Sequence, residues 1–393
     1  MNRPHTLPAA AADRWSAQVG TVAVRFGAGC LMELGEAVLA HGGSRVFLVT
    51  DPGVRAAGIA PASEERLRAA GLAFEVFDGV SENPTASQVT AGVEAAREFG
   101  PDFIVAVGGG SAMDCAKGIN LVLINGGRID DYEGRHRAPR PLLPSVGVPT
   151  TAGTGSEAQS FALISRDEDH RKMACGDQGI RFREVLLDPE VLVSVPAAVA
   201  ARSGLDAVSH AVESYVTRAG HAVSRMLARE AWRLLDRSLE GFLADPGELE
   251  GAADVFLGAH LAGAAIEQSM LGAAHACANP LTARWDIPHG AAVALMLPAV
   301  VRFNASVAEE RYGELLPAGQ PQREGAAADK LARRLETLRA AAGLPGSFAD
   351  CGAAPNEGEI AQLASQAATQ WTGTFNPRSL TPDDFARLYA SVR

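Results

Sequence analysis

The secondary-structure pattern of the chain changes about halfway along its length. Up to about residue 194, short runs rich in Val, Ile, Leu and Phe alternate with Ala-rich segments of helical spacing. Beyond that point only helical patterns follow. Alternating strands and helices of this length are typical of a parallel sheet with helices on both faces. The sequence therefore predicts an α/β domain over residues 1–194 and an all-helical domain over residues 195–393.

The individual elements follow from hydrophobic periodicity and from the residues that flank each run. Strands are predicted at Arg45–Thr50, Phe74–Asp78, Asp102–Val107, Leu143–Val148 and Glu184–Leu187, with helices at Glu64–Ala70 and Ser87–Phe99. The second half has predicted helices at Ala197–Val216, Val223–Leu243, Ala252–Gln268, Gly290–Phe303 and Ala326–Ala342. The segment Pro317–Gly325 is predicted to be a surface loop.

Composition excludes several classes of protein. Hydrophobic residues make up 47% and charged residues 21% of the chain, which are globular values. The net charge of −11 argues against nucleic acid or an anionic membrane as partner. The run Gly290–Val301 is too short to span a bilayer, and the N-terminus lacks the apolar core of a signal peptide. With five scattered cysteines and no CxxC pair, we expect a cytoplasmic protein with free thiols.

Two glycine-containing loops follow predicted parallel strands. In Gly108–Ser111, glycines at a strand-to-helix turn allow backbone N–H groups to approach a phosphate. Met113 occupies the third position of a GxGxxG pattern, so a purely structural turn is an equal alternative. The second loop, Pro149–Glu157, offers hydroxyl and backbone donors, unless it is an ordinary polar turn. Both loops lie at carboxyl ends of strands, where open α/β sheets bind ligands, so together they favour a dinucleotide.

The chain contains only three lysines among its 35 basic residues, so each lysine is a candidate for a position that requires an ammonium group. Lys117 lies three residues after Asp114, and this spacing predicts an ion pair on a helix surface. Lys172 lies in the predicted α/β half, and Lys330 lies on a predicted exposed helix.

Asp206 and His210 form an Asp-x-x-x-His pair within a predicted helix. Residues four apart lie on one helix face, so both side chains can reach the same ion. The alternative is that Ser203 and Asp206 belong to a capping arrangement and that His210 is a polar core residue.

His275 and His289 are fourteen residues apart, and Asn279-Pro280 and Asp286–Pro288 interrupt any helix between them. We expect His275 to end one helix and Pro288-His289 to open the next, so that both imidazoles converge. Three imidazoles and one carboxylate form a set that suits Zn(II) or Fe(II). The candidate metal ligands are Asp206, His210, His275 and His289.

With these residues the chain resembles the iron-containing (group III) alcohol dehydrogenase family, from about Val22 to Asn376–Arg378. The matching motifs are FGAGC, LVTD, ENPT, GGGSAMDCAK, PTTAGTGSE, RKM and GLDAVSHAVESY, followed by the two downstream histidines. The resemblance implies a dehydroquinate synthase-like architecture with the active site in a cleft between the two domains. It also implies a homo-oligomer that acts on a small molecule.

The resemblance further implies reversible hydride transfer between a small alcohol, with its aldehyde or ketone, and a nicotinamide cofactor. The metal would be Fe(II) or Zn(II), held by the four ligands above. The residues implied to hold NAD(H) or NADP(H) are Asp51, Gly109, Gly110, Ser111, Thr150, Thr151, Thr154 and Lys172. A carboxylate at position 51 pairs with a ribose 2′-hydroxyl and repels a 2′-phosphate, so NAD(H) is predicted over NADP(H). Arg55 is the neighbouring candidate for accepting a 2′-phosphate, which keeps NADP(H) open.

One position departs from the family pattern. Many of these dehydrogenases carry a second histidine in an HxxxHPL stretch, whereas this chain has HACANPL, with Asn279 at that position. An amide does not take up a proton at neutral pH, so an acid–base role is absent there, while an orienting role toward substrate or nicotinamide remains. The departure predicts a substrate other than the simple alcohols of the HxxxH members, either a different aldehyde or a hydroxy acid.

Two other functions are compatible with the same motifs. A hydroxyacid–oxoacid transhydrogenase would pass hydride between two substrates on a tightly held cofactor. A dehydroquinate synthase-like lyase would need several basic residues around a phosphorylated substrate, and the second half has a single lysine.

Overall fold

The computed structural model describes residues 14–168, 171–317 and 326–393. The chain forms two compact units. The first comprises residues up to 151, 156–195 and 245–257, and the second comprises 152–155, 196–244 and 258–393. Most of the loop predicted at Pro317–Gly325 lies outside the described residues.

The first unit is built on a seven-stranded sheet and a smaller three-stranded sheet. The strands are β1 (Trp15–Val19), β2 (Val22–Phe26), β3 (Arg45–Val49), β4 (Ala73–Phe77), β5 (Phe103–Gly108), β6 (Gly134–Arg135), β7 (Ser145–Pro149), β8 (Phe161–Ser165), β9 (Lys172–Gly176) and β10 (Glu184–Leu187). The large sheet has the order β1-β2-β10-β7-β5-β3-β4, and only its β1–β2 pair is antiparallel. The predicted parallel sheet is confirmed, whereas β1, β2 and the small sheet were not predicted.

The helices of the first unit connect the parallel strands. They are α1 (Leu34–Ala40), α2 (Pro52–Ala56), α3 (Ile59–Ala69), α4 (Ala86–Phe99) and α5 (Gly110–Asn125). Helix α4 begins with a capping box between Thr85 and Gln88 and ends at Gly100, which has a φ of 68°. Helix α5 is buried continuously from Ala112 to Val122, because it contacts β5, β8 and α4.

The second unit is mainly helical, and the helix at Leu249–Glu267 contributes its residues up to Leu257 to the first unit. The helices from Pro196 onward are α6 (Ala197–Val216), α7 (Ala222–Ala244), α8 (Leu249–Glu267), α9 (Ala273–Trp285), α10 (His289–Glu314), α11 (Ala326–Ala341), α12 (Glu357–Ala368) and α13 (Pro382–Ala390). No strand occurs among the described residues after β10, so the prediction of a helical second half is confirmed. Helix α6 contacts α7 and α10 and is buried from Gly204 to Val216, which makes it a central helix.

Among the described residues, two helices, α8 and α10, are long and apolar enough to cross a membrane by length and composition. The apolar run at Gly290–Val301 lies within α10, which has 26 residues and is longer than the helix predicted there. Most of the apolar stretch of each helix is buried inside the fold. This burial is typical of core helices in globular proteins.

Candidate metal centre and nucleotide loops

Three buried side chains of the second unit converge on one point. Oδ1 of Asp206 lies 3.4 Å from Nε2 of His210 and 3.6 Å from Nε2 of His275. Nε2 of His289 lies 3.9 Å from the same carboxylate oxygen, and its side chain is 28% exposed. The structure therefore brings all four predicted ligands together, three of them buried and the fourth open to solvent.

These distances fit a bound divalent cation. Metal bonds of about 2.0–2.2 Å to nitrogen and oxygen place neighbouring ligand atoms about 3.3–3.6 Å apart in a tetrahedron. The contacts of Asp206 with His210 and His275 fall in that range. Oδ1 of Asp206 and Nε2 of His275 are also buried without a hydrogen-bond partner. Burying a polar atom without a partner costs free energy, and an ion at their common focus accounts for both.

The electrostatics of the cluster favour positive charge. Burial opposes ionisation of Asp206, but the adjacent imidazoles of His210, His275 and His289 outweigh it and lower the pKa of the carboxyl group. Burial also disfavours the charged form of His210 and therefore lowers the pKa of its imidazole. Burial would lower the pKa of His275 too, but the neighbouring carboxylates raise it to about 9. The carboxylates thus stabilise a cation within an otherwise buried site.

Helix α6 supplies two ligands because residues 206 and 210 are one turn apart. The alternative capping role of Ser203 is excluded, since Ser203 lies inside α6 and its hydroxyl group donates to the carbonyl oxygen of Val199. Asp206 and His210 are both buried on the same side of the helix.

The prediction for His275 needs a correction. This residue lies in the first turn of α9 and does not end a helix, because α9 continues through the buried Pro280 to Trp285. A proline inside a helix costs about 3 kcal/mol, and the burial of α9 offsets that cost. The second part of the prediction is confirmed, since Pro288 precedes His289 at the start of α10.

Gly290 allows the start of α10 to approach α6. A Cβ atom at this position would overlap the backbone carbonyl group of Arg202, whose carbon would lie 2.8 Å away. Only glycine permits this separation, which places the adjacent His289 beside the carboxylate of Asp206.

The first glycine loop has the geometry of an anion site. Strand β5 ends at Gly108, Gly109 is the N-cap, and α5 begins without a side-chain cap. The amide groups of its first turn are therefore directed at whatever lies before the helix. Thr150 donates its N–H to the carbonyl oxygen of Gly108 at 2.9 Å, and a Cβ on Gly109 would lie 3.2 Å from Oγ1 of Thr151. The two predicted loops therefore lie side by side.

Asp51 lies at the same edge of the sheet. It follows β3, caps α2 and accepts a hydrogen bond from the N–H of Val54 at 3.0 Å. One of its carboxylate oxygens lies 3.2 Å from the position that a Cβ on Gly108 would occupy. The structure therefore groups Asp51 with the residues of both loops, including Gly109, Gly110, Ser111, Thr150 and Thr151.

The two remaining predicted cofactor residues are exposed. Lys172 is exposed on β9 of the small sheet, and Thr154 is exposed within the segment 152–155 of the second unit. The glycines beside Thr154 have a packing role. A Cβ on Gly153 would lie 2.5 Å from Cβ of Ser203 in α6, and a Cβ on Gly263 in α8 would lie 2.6 Å from Cα of Gly155.

The prediction of a surface ion pair at Lys117 is wrong. This side chain is buried, and its ammonium group donates to the carbonyl oxygens of Ser156, Gln159 and Phe161 at 2.6–2.9 Å and to the hydroxyl oxygen of Ser156 at 3.0 Å. The carboxylate of Asp114 lies 3.9 Å away and accepts from the Ser156 hydroxyl group at 2.5 Å. Lys117 thus fastens the segment after the second loop to α5. The rarity of lysine was the only sequence signal for this role.

Sequence reasoning also missed Glu213. Its buried carboxylate accepts a hydrogen bond from Nδ1 of His275 at 2.6 Å. The available signal was its spacing, because residues 206, 210 and 213 lie on one face of α6.

Asn279 lies one turn after His275 on α9, and its amide nitrogen donates to Oε1 of Gln370 at 2.9 Å. The side chain is partly exposed. This position therefore carries a pair of amides that can orient a polar group but do not exchange a proton at neutral pH.

Comparisons with known proteins cover nearly the whole chain. Residues 21–189 match the profile described as iron-containing alcohol dehydrogenase, and residues 200–392 match the C-terminal profile of the Fe-containing alcohol dehydrogenase family. The NAD-dependent methanol dehydrogenase of Bacillus methanolicus is 31% identical over 367 residues, which cover 92% of this chain and 96% of that protein. The lactaldehyde reductase of Escherichia coli strain K12 is 31% identical over 370 residues, covering 93% and 96%. The crystal structure of a 1,3-propanediol oxidoreductase superposes with a TM-score of 0.91 at 31% identity, covering 97% and 99%.

Proposed function

This chain belongs to the iron-containing alcohol dehydrogenase family, and we propose that it interconverts a small alcohol and its aldehyde or ketone by metal-dependent, NAD(H)-linked hydride transfer. The observation that carries the proposal is the convergence of Asp206, His210 and His275 on one buried point, with His289 at its edge. Within this cluster, Oδ1 of Asp206 and Nε2 of His275 are buried without a hydrogen-bond partner, which costs free energy unless a bound ion compensates them.

We propose that the four side chains hold Fe(II), with Zn(II) as the alternative, because three imidazoles and one carboxylate suit both ions. When bound, the metal supplies Lewis acidity toward an alcohol or carbonyl oxygen. Asp206 contributes the negative charge that partly balances the cation. The exposed side of His289 leaves the site open to solvent and substrate on that side.

NAD(H) is the proposed cofactor. The proposed contacts are Asp51, Gly109, Gly110, Ser111, Thr150, Thr151, Thr154 and Lys172. The carboxylate of Asp51 disfavours a 2′-phosphate. Arg55, the candidate acceptor of such a phosphate, instead pairs with Glu64 at 2.9 Å and with Asp78 at 3.3 Å. Its charge is therefore already compensated, which supports NAD(H) over NADP(H).

The amide of Asn279 does not relay a proton, so we propose that the proton reaches solvent through water or a hydroxyl group of the bound ligands. The pairing of Asn279 with Gln370 supports an orienting role. A polar pair of this kind favours substrates with a second oxygen, such as hydroxyaldehydes and diols, over simple alkanols.

The test is a substrate panel assayed by NADH absorbance on metal-free protein reloaded separately with Fe(II) and Zn(II). The panel contains methanol, ethanol, lactaldehyde and 1,3-propanediol, with the corresponding carbonyl or alcohol partners. We expect turnover that requires the metal and is fastest with substrates that carry two oxygens. Metal-independent turnover, or no turnover of any member, would contradict the proposal. Nicotinamide that stays bound through purification would indicate the transhydrogenase instead.

Cellular location and assembly belong to the same proposal. All five cysteines are free, which supports the cytoplasm. A homo-oligomer is proposed from the family resemblance, and light scattering of the purified protein tests it.

A further inference from the structure

Glu213 connects the candidate metal centre to the start of helix α9. Its side chain extends from α6, is buried, and accepts three hydrogen bonds. Oε1 accepts from the N–H of Ala274 at 2.7 Å, and Oε2 accepts from the N–H of Gly272 at 3.1 Å. The third donor is Nδ1 of His275, 2.6 Å from Oε2. One carboxylate thus serves both a helix terminus and a proposed metal ligand.

The two backbone contacts replace an N-cap side chain. Gly272 is the N-cap residue of α9 and provides no side-chain cap of its own. A Cβ at this position would lie 2.8 Å from Oε1 of Glu213, so glycine gives the carboxylate room to reach the amides. Negative charge at a helix N-terminus is stabilising, and here it comes from a different helix. Asn376 adds a weaker acceptor for the N–H of Ala273, at 3.3 Å.

The contact with the imidazole determines where the ring carries its proton. A carboxylate only accepts hydrogen bonds, so Nδ1 of His275 must be the protonated nitrogen. Nε2 then faces Oδ1 of Asp206, 3.6 Å away, and is the ring nitrogen that a cation would bind in place of a proton. Metal-bound histidines generally have such a partner on the second ring nitrogen, and it raises ligand basicity.

We propose that Glu213 is a positioning residue for the metal: it selects the tautomer of His275, aims Nε2 at the ion and increases metal affinity. This inference rests on the proposed function, since it assumes that the cluster binds a divalent cation. Glu213 also brings a second negative charge near the ion, so that Asp206 and Glu213 together balance a charge of +2.

The experiment measures the affinity of metal-free protein for Zn(II), by competition with a chromophoric chelator, and the absorption spectrum after Co(II) loading. Glu213→Leu removes both oxygens at similar volume, while Glu213→Gln keeps an acceptor without the charge. Outer carboxylates of this kind change metal affinity about 10–100-fold. We expect the Leu variant to bind about 100-fold more weakly, the Gln variant about 10-fold more weakly, and the Co(II) spectrum to shift in both.

Asn376→Ala is the matched control, because it removes an acceptor at the same helix terminus without touching the imidazole. Its melting temperature should fall, while its Zn(II) affinity should stay within about twofold of the wild type. Equal losses of affinity in the Asn376→Ala and Glu213 variants would show that helix stability alone is responsible and would overturn the proposal. Wild-type affinity in both Glu213 variants would overturn it as well. If the Leu variant does not fold, the Gln variant and the control give the same comparison.

These outcomes are distinguishable from failure of the proposed function. If the wild-type protein binds neither Zn(II) nor Fe(II), the metal-dependent function fails and the role of Glu213 fails with it. If the wild-type protein binds metal and turns over alcohol while Glu213→Leu does the same with equal affinity, only the inference about Glu213 fails.

Discussion

The candidate metal centre is built from side chains, whereas the candidate nucleotide loops are built largely from backbone groups. The metal centre consists of side chains from α6, α9 and α10 whose ligand atoms lie 3.4–3.9 Å from one carboxylate oxygen. The nucleotide loops consist largely of backbone amides and glycines at the carboxyl ends of β3, β5 and β7.

This difference decides what can be recognised in each region. Side-chain ligands can be recognised from their geometry, because buried charges and unpartnered imidazole nitrogens need a compensating ion. Backbone donors at a helix N-terminus do not identify a binding site in this way, since every helix has them. The metal centre therefore depends on residue identity, whereas the loops depend on the absence of side chains.

The largest expected effect is the loss of metal and activity on removing a ligand, and it should differ between the buried and the exposed ligands of the metal centre. His275→Ala should lose metal and activity together, with kcat/KM about 1,000-fold lower or more, because a buried ligand and the Lewis acid disappear. His289→Ala should retain more metal, since water can replace an exposed fourth ligand. Metal content by atomic emission and turnover by NADH absorbance check both variants. A metal-depleted but fully active His275→Ala protein would exclude the site.

The next effect belongs to the nucleotide half and concerns stability. Lys117→Met leaves the carbonyl oxygens of Ser156, Gln159 and Phe161 without their buried ammonium donor. We expect a loss of about 3–5 kcal/mol in the free energy of unfolding, measured by urea denaturation, as for other broken buried charge pairs. Adding Asp114→Asn should recover part of the loss, because burial already disfavours the charged form of Asp114 and raises its pKa.

Lys330→Met is the control for the same substitution on a helix of the second unit. Lys330 lies on α11 and is only partly buried, so the change should stay below about 1 kcal/mol. Equal losses in the two variants would mean that Lys117 has no special structural role.

A smaller effect on stability should distinguish a glycine needed for helix packing, Gly290, from a glycine proposed to bind the cofactor, Gly109. Gly290→Ala should destabilise the protein by about 1–3 kcal/mol and weaken metal binding, because the methyl group pushes α10 away from α6 at Arg202. A Cβ on Gly109 would meet only the side chain of Thr151, with Oγ1 at 3.2 Å and Cγ2 at 3.3 Å, so we expect Gly109→Ala to have near-normal stability and a higher KM for NADH. Measured for both variants, the melting temperature should fall mainly in Gly290→Ala, and the KM for NADH should rise mainly in Gly109→Ala. The same pattern in both variants would contradict the assignment of one glycine to packing and the other to cofactor binding.

Much of the fold could be predicted from the sequence, because buried parallel strands are continuous apolar runs. Strands β3, β5 and β10 and helix α6 agree with their predicted bounds within a few residues. Strand β1 was missed because its side chains are largely exposed, which removes the apolar signal. Helix α9 was missed because the Asn-Pro step at 279–280 is typical of a turn, whereas tertiary burial keeps the helix continuous.

The metal ligands could be predicted because each is chemically distinctive. The functions of Glu213 and Lys117 could not, since a single acidic or basic letter does not reveal burial. Both are surrounded by partners that come from distant sequence, and their roles depend on those partners. The packing role of the glycines at 153 and 155 could not be predicted for the same reason, because the motif does not show which helices pack against them.

The smallest effect tests the cofactor preference of the nucleotide half. We expect the wild-type protein to use NADH at least about 10-fold more efficiently than NADPH, because the carboxylate of Asp51 repels a 2′-phosphate. Asp51→Asn should reduce this preference about 10-fold, which corresponds to about 1.4 kcal/mol. Asparagine also caps helices well, so the bond to Val54 that starts α2 can persist and folding should be unaffected. Arg55→Ala should leave the NADPH efficiency within about twofold, since Glu64 and Asp78 already compensate the charge of Arg55. A large loss of NADPH activity in that variant would instead identify Arg55 as a phosphate-binding residue.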